Sequence, residues 1–340
     1  MGAQVEHLSV WMNDQRVAKL SRSRDRLALA YTTDTLDAHD LNTPLISVAL
    51  PILPGTFKHD KVRPFFDGLL PEGETRRMLA YDFHLHEDDT FGLLRVLGRD
   101  CAGALVILPD GEMPPTPAPS GVAPLTTDQI AARLHQLATD PLGVDQQVRI
   151  SLAGVQHKLV LSQLPTGEWA LPVGGLPSTH IFKRSNPRFE HMVANEAFCL
   201  AIGRRLDLPI TEAAIVDFSE PTLVVTRYDR KQSKNGQILR IHQEDLTQAL
   251  SLNSSAKYED HGGPSLRKVA RLLRAVTKGS ESLERLLAIT VLNMVVGNAD
   301  AHAKNYSLLH PEPGLVQLAP AYDIMSTTFY PRADTRPGMY

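Results

Sequence analysis

A chain of 340 residues, 43% hydrophobic and 21% charged, has room for two or three domains with buried cores, which excludes global disorder. A net charge of −3 excludes a uniformly basic coat for nucleic acid and leaves only a local basic patch open. Cys101 and Cys199 lie far apart in apolar surroundings and read as buried free thiols in a reducing compartment.

The opening "MGAQVEHLSV" has no basic region followed by an apolar core, so no signal peptide is expected. Glu6 stands where a myristoylation pattern needs Ser or Thr. The longest apolar run, 286 to 296, is interrupted by Thr290 and Asn293 and is too short to cross a bilayer. A cytoplasmic protein with no membrane partner is expected.

Residues 1–108 read as a first, α+β unit. "HLSVWMNDQRVAKLSR" predicts a hairpin turning at Asn13-Asp14. "LISVALPIL" and "CAGALVILPD" predict buried strands, and "KVRPFFDGLLPEGETRRMLAYDF" between them is mixed and partly helical. Residues 109–125 are dense in Pro and Gly and predict an exposed linker with polyproline character. "TTDQIAARLHQLA" then opens a helix, with Thr126 and Gln129 in capping-box spacing.

From about 148 the texture becomes strand-rich. "VRISLAGVQHKLVLSQL" predicts strand, glycine turn, strand, and "STHIFKR", "AAIVDF" and "TLVVTRYDR" predict further strands. "EHMVANEAFCLAIGRRLDLP" carries helical apolar spacing and stops before Pro209. Beyond 240 the pattern turns mostly helical. In "SLRKVARLLRAV", Leu266, Val269, Leu272, Leu273 and Val276 mark one face. "IHQEDLTQAL" reads as a helix N-terminus in which Gln243, Glu244 and Asp245 answer the helix dipole, with no chemistry assigned. The order is a strand-rich lobe over 126–228, then a helical lobe over 229–340.

At the end of the apolar run stands "GNADAHAKN". Asp300 and Asn305 are five apart, as in the D-x4-N of a kinase catalytic loop. Phosphoryl transfer needs a carboxylate to take or orient the acceptor proton and an oxygen ligand for magnesium, and this pair can supply both. By itself the spacing arises often by chance and equally fits a capped helix end. "LAPAYDIMS" adds Asp323, 23 residues later, where a kinase needs a second magnesium carboxylate after a hairpin, here "YSLLH" and "GLVQLAP".

Upstream, "SLAGVQHK" offers Ser151, Gly154 and Lys158 between two strands. It fails G-x-G-x-x-G and the Walker pattern, and an ordinary hairpin turn fits it as well. Lys183 ends a strand where a phosphate-pairing lysine would lie, and Glu196 opens the next helix where its partner would lie. Singly, each is an ordinary surface charge; their order along the chain is the signal. The backbone of Thr226 to Tyr228 is placed to meet an adenine edge, with Asp229 near the ribose, and an edge strand with a charged end remains open. His302 is placed to orient the loop or to make a structural hydrogen bond. The 13 histidines show no zinc pattern.

With these blocks in view the chain resembles the HipA family of bacterial toxin kinases. "VWMNDQRVAKL" and "FFDGLLPEGETRR" resemble the family's N-terminal domain, and "SLAGVQHKL", "THIFKR", "NEAFCLAI", "RYDR", "QEDLTQAL", "KYEDHGGPS", "GNADAHAKNYSL" and "LAPAYDIMS" follow in family order. The resemblance implies a two-lobe, protein-kinase-like α+β core that phosphorylates protein Ser or Thr from ATP with Mg2+. It implies Asp300 as catalytic base and Asn305 and Asp323 as magnesium ligands. It implies an ATP site formed by Ser151, Ala153, Gly154, Val155, Lys158, Lys183, Thr226, Arg227, Tyr228, Asp229, His302 and Lys304. In the family the phosphate loop carries an autophosphorylated serine whose modification ejects the loop, a position that Ser151 occupies; a phosphate there would repel nucleotide. The resemblance also implies a HipB-like helix-turn-helix antitoxin as partner, DNA contact only through that antitoxin, and an aminoacyl-tRNA synthetase as target.

The chain departs from the family at "STTFYPRADTRPGMY", where relatives usually continue with several more helices. A helical lobe shortened there is expected to expose apolar surface. Two competing readings follow: an impaired scaffold or co-repressor that binds the antitoxin, and a small-molecule kinase, against which residues 7 to 108 argue.

Overall fold

The computed structural model describes residues 5–116, 122–137, 151, 158–185, 189–234, 237–330 and 337–340. The N-terminal unit is a four-stranded antiparallel sheet with four helices. It comprises β1 (Val5–Met12), β2 (Gln15–Ser23), β3 (Arg26–Tyr31), α1 (Thr33–Ala38), α2 (His59–Gly68), α3 (Gly73–Asp82), α4 (Thr90–Leu97) and β4 (Leu105–Pro109), with sheet order β3-β2-β1-β4. The β1–β2 hairpin turns at Asn13, whose positive φ of 53° suits the short polar side chain found there. Leu8 and Val10 on β1 and Leu20 on β2 alternate inward with period two and meet Phe65, Phe66 and Leu94 of the helices.

The segment "LISVALPIL" does not form a strand. It is buried, as an apolar run should be, but only an isolated bridge, Ser47 to Leu50, lies within it. Its polar groups are met from elsewhere: the Leu50 carbonyl accepts from Tyr31 Oη, and the Val48 amide donates to Glu244. An irregular segment can be buried when its backbone is satisfied in this way.

The helix α5 (Thr127–Gln136) carries the expected capping box between Thr126 and Gln129. Next come β5 (Lys158–Gln163), β6 (Trp169–Ala170), β7 (His180–Arg184), α6 (Met192–Arg205), β8 (Ala213–Asp217) and β9 (Pro221–Thr226), in an antiparallel sheet of order β6-β5-β7-β9-β8. Alternation divides the side chains between two faces. Leu159, Leu161, Phe182 and Val224 pack under α5, whereas Leu223 and Val225 pack with Val193 of α6. The first strand expected in "VRISLAGVQHKLVLSQL" lies outside the described residues.

Beyond 229 strands remain, which the sequence reading underestimated. They are β10 (Arg230–Gln232), β11 (Ile238–Arg240) and β12 (His242–Asp245), followed by α7 (Leu246–Ala249), α8 (Leu266–Val276), α9 (Glu281–Val296), β13 (Ser307–Glu312) and β14 (Leu315–Leu318). The "HQED" segment is therefore a strand paired to β13, and within it only Asp245 caps a helix, α7. The apolar run on α9 is buried on one side alone, through Leu286, Ile289 and Leu292; Leu287, Val291, Met294 and Val295 face outward. Both cysteines are buried and free. Among the described residues no helix is long and apolar enough to cross a membrane.

Candidate active site

A cleft of about 1100 Å³ opens between the five-stranded sheet, the loop after α9 and the N-terminal unit. Gly68 and Glu72 line it from the N-terminal unit, Lys158 and Lys183 from the five-stranded sheet, and Asp300, Asn305 and Asp323 from the segments that follow α9.

Strand geometry places the lysines. Phe182 points under α5, so Lys183, the next residue of β7, points the opposite way, toward α6. There its Nζ donates to Glu196 Oε1 at 2.7 Å and to Asp323 Oδ1 at 2.9 Å. Burial would lower the Lys183 pKa, but Asp323 and Glu196 outweigh it and hold the ammonium charged. Lys183 in turn holds the Asp323 carboxyl at about 2. Asp323 sits in the left-handed region, φ 57°, just past Ala321, whose carbonyl accepts from Thr211 N. Lys158 lies directly across from Lys183 in the β5–β7 register. Burial, reinforced by that like charge, lowers its pKa to about 8.

The loop after α9 is held from both sides. Gly297 ends the helix at φ 69°, a conformation that favours glycine, and a Cβ there would meet Thr328 Oγ1 at 2.3 Å. Asn298 Oδ1 accepts from Asp300 N, and Thr327 Oγ1 accepts from Ala299 N. Asn305 Nδ2 donates to the Asp300 carbonyl at 2.8 Å, which closes the loop between the two residues of the D-x4-N pattern. Tyr258 Oη donates to Asp300 Oδ1 at 2.5 Å. His302 Nε2 lies 3.9 Å from the same oxygen, and its ring meets Tyr258 edge-on at 4.9 Å. Burial lowers the His302 pKa, which favours the neutral imidazole.

Three expected nucleotide contacts are turned inward. Lys304 Nζ donates to Asp245 Oδ2 at 2.7 Å and lies 3.5 Å from Glu72, so its charge is answered within the protein. The Asp229 carboxylate, expected near a ribose, accepts from Gly103 N at 2.7 Å, from Arg227 through two nitrogens and from Gln243 Nε2. The Arg227 side chain is committed to the same buried cluster, which also contains Asp100 and Arg230. The backbone amides of Thr226 and Arg227 donate to Glu212 and Thr179 and so are already engaged. Tyr228 stacks on Tyr322 with ring centroids 5.6 Å apart. These groups still line the cleft wall.

Ser151 is fully buried and is not part of the cleft lining. Its amide donates to the Asp100 carbonyl and its hydroxyl to the Leu69 carbonyl, both in the N-terminal unit. Ala153, Gly154 and Val155 lie outside the described residues.

The sequence reading missed the charges that the N-terminal unit and the 256–263 segment bring to the cleft. Glu72, Lys257 and Tyr258 stand there, and Asp245 pairs with Lys304. The donor set fits a hard divalent cation: Asp323 is held ionised and Asn305 offers a neutral amide oxygen. Among the described residues no cluster of three His, Cys, Asp or Glu could hold a metal alone.

Comparison with known proteins shows the family. Residues 8–108 match the model of the HipA N-terminal domain, and residues 150–339 that of the HipA-like C-terminal domain. The Y4mE protein of Sinorhizobium fredii, named as a kinase, is 39% identical over 334 residues, which cover 96% of this chain and 79% of that one. The serine/threonine-protein kinase toxin HipA of Shewanella oneidensis is 30% identical over 339 residues, covering 95% of this chain and 76% of the toxin. The solved structure of HipA from Shewanella oneidensis MR-1, in complex with HipB and operator DNA, superposes with a TM-score of 0.82 at 28% identity. That superposition covers 98% of this chain and 79% of that one. Two domain models in order, together spanning most of the chain, relatives matched along nearly all of it and a solved HipA structure of the same fold place this chain in the HipA family of kinases.

Proposed function

We propose that the chain is the serine/threonine protein kinase toxin of a toxin–antitoxin module, moving the γ-phosphoryl group of ATP to a protein hydroxyl. The observation that carries this reading is the meeting of Lys183, Glu196 and Asp323 with Asp300 and Asn305 in one cleft, although they lie up to 140 residues apart. Lys183, fixed by Glu196, is placed to draw in phosphate oxygens. Asp300 orients the acceptor hydroxyl and takes its proton as the acceptor oxygen bonds to the γ-phosphorus, while the bond from that phosphorus to the β–γ bridging oxygen breaks and ADP leaves. Mg2+ held by Asn305 and Asp323 would neutralise the phosphate charge.

Three finer assignments follow the family. A HipB-like antitoxin is the proposed partner, supported by the HipB complex of the Shewanella relative. An aminoacyl-tRNA synthetase of the glutamyl type is the proposed target, whose loss would arrest growth and promote persistence. Ser151 is the proposed autophosphorylation site. Its hydroxyl is bonded to Leu69, so the loop must leave the N-terminal unit before Ser151 can meet a phosphoryl donor.

The test is the intact mass of the purified, phosphate-free chain after incubation with Mg-ATP, beside Asp300→Asn. A phosphate adduct on the parent alone, mapped to Ser151, is expected. An equal adduct on Asp300→Asn would remove Asp300 from its role. No transfer by the parent, to itself or to a synthetase, together with tight antitoxin binding would favour the scaffold reading.

A further inference from the structure

Glu72 is the N-cap residue of α3 in the N-terminal unit, yet its carboxylate stands in the wall of the kinase cleft. One oxygen accepts from Lys257 Nζ at 3.0 Å, and the other lies 3.5 Å from Lys304 Nζ. The Glu72 and Lys257 side chains are only 14% and 15% exposed, so water screens their attraction weakly.

Lys257 belongs to the segment between α7 and α8, which has no regular structure beyond one 3-10 turn, Glu259–His261. Its carbonyl accepts from Ala303 N of the catalytic loop at 3.0 Å. The next residue, Tyr258, donates to Asp300 Oδ1. The Asp300 side chain is 52% exposed, and a carboxylate so solvated has no packed wall to fix its rotamer. Its orientation therefore depends on Tyr258, and the segment carrying Tyr258 is tied to the N-terminal unit through Lys257.

We propose that Glu72 is a positioning residue of the phosphoryl-transfer site: by anchoring Lys257 it holds the 256–263 segment so that Tyr258 aims the Asp300 carboxylate. The kinase cleft is thus completed by the N-terminal unit. This rests on the reading of Asp300 as the base. Neither Glu72 nor Lys257 pairs with Lys183, so that lysine keeps both Glu196 and Asp323 when the link is broken.

The experiment compares the full chain with Glu72→Ala, Lys257→Ala and the double variant by two readouts: amide hydrogen exchange over 256–263, and ADP formation from Mg-ATP. Either single variant is expected to speed exchange in that segment. Each is expected to lower kcat on the order of tenfold while KM for ATP stays within about twofold, since a small misplacement of the base slows chemistry without weakening binding. The double variant is expected to be no worse than Glu72→Ala, which already breaks the link to Lys257 and in addition removes the carboxylate beside Lys304. Unchanged exchange in either single variant, or losses that multiply in the double, would overturn the proposal. If the parent forms no ADP, the kinase reading fails by itself, and the exchange data still decide whether Glu72 anchors the segment. Should Glu72→Ala not fold, Lys257→Ala carries both readouts.

Discussion

Asp100 of the N-terminal unit and Arg227 at the end of β9 approach to 3.6 Å, with both side chains almost wholly buried. Arg230 and Arg240 reach the same carboxylate at 3.0 and 3.2 Å, and Ser178 Oγ donates to it at 2.5 Å. Burial would raise the Asp100 pKa, but the three guanidinium groups outweigh it and hold the carboxyl ionised. Asp229 answers Arg227 and Arg230 from the other side. The 227–240 segment is thereby fastened to the N-terminal unit by charge, in a place where water cannot substitute. Asp100→Ala leaves buried guanidinium charge uncompensated and is expected to destabilise the fold by about 3–5 kcal/mol. Urea denaturation of the two proteins checks this, and an unchanged midpoint would mean that solvent enters the cluster.

That cluster also shows where sequence reading stops. Lys183, Glu196, Asp300, Asn305 and Asp323, which the fold brings to one cleft, each sit at a recognisable local position: a strand end, a helix start, a loop after an apolar run, the close of a hairpin. Arg227 and Asp229 were legible as a place in the chain, but not the buried cluster to which their side chains are committed. Their partners Gly103 and Cys101 each lie 126 residues away, and no local pattern encodes that. Glu72 and Lys257 carry no local signal for the same reason, since the two partners lie 185 residues apart. "LISVALPIL" was read correctly as buried and wrongly as a strand. Apolar content forecasts burial, whereas strand pairing needs a partner edge, and here side chains from β3 and β12 satisfy the backbone instead.

The triad around Lys183 separates stability from chemistry. Glu196 is 2% exposed, so Lys183→Ala leaves a buried carboxylate without its cation and is expected to cost about 3–5 kcal/mol. The Asp323 side chain is 38% exposed and Lys183 keeps Glu196 without it, so Asp323→Asn is expected to cost about 1 kcal/mol or less. Phosphoryl transfer should nevertheless vanish in Asp323→Asn. Because Lys183 holds the Asp323 carboxyl at about 2, below its ordinary 3.8, the stability it contributes is present above about pH 4 and is lost as pH falls through 2. Thermal melts and magnesium-dependent transfer, measured on both variants, check the split; equal destabilisation would refute it.

Leu287, Val291, Met294 and Val295 recur at helical spacing on α9, with exposures of 67%, 50%, 71% and 77%. They make an apolar stripe on the outer side of the helix whose inner side anchors the catalytic loop. Replacing Leu287 and Val295 with lysine is expected to change stability by no more than about 0.5 kcal/mol each, since no packed contact is lost. Self-association at high concentration should fall, as sedimentation or light scattering would show. A large loss of stability would mean that the stripe is covered in solution.

Lys158 sets a pH dependence of opposite sign for the free and the nucleotide-bound protein. Burial and the facing Lys183 bring its pKa down to about 8, from an ordinary 10.5. In the free chain the charged form is the penalised one, so folding stability rises as pH climbs from about 8 to about 10.5, where the unfolded chain holds more protons. Nucleotide phosphates favour the charged form. Binding should therefore take up a proton, and affinity should fall by roughly eightfold between about pH 7.5 and about pH 9. Lys158→Met should bind more weakly at the lower pH and show little of this dependence. Calorimetric titration of Mg-ATP in two buffers of different ionisation enthalpy measures the proton directly. The same pH slope in parent and Lys158→Met would assign the titration to another group and take Lys158 out of the phosphate site.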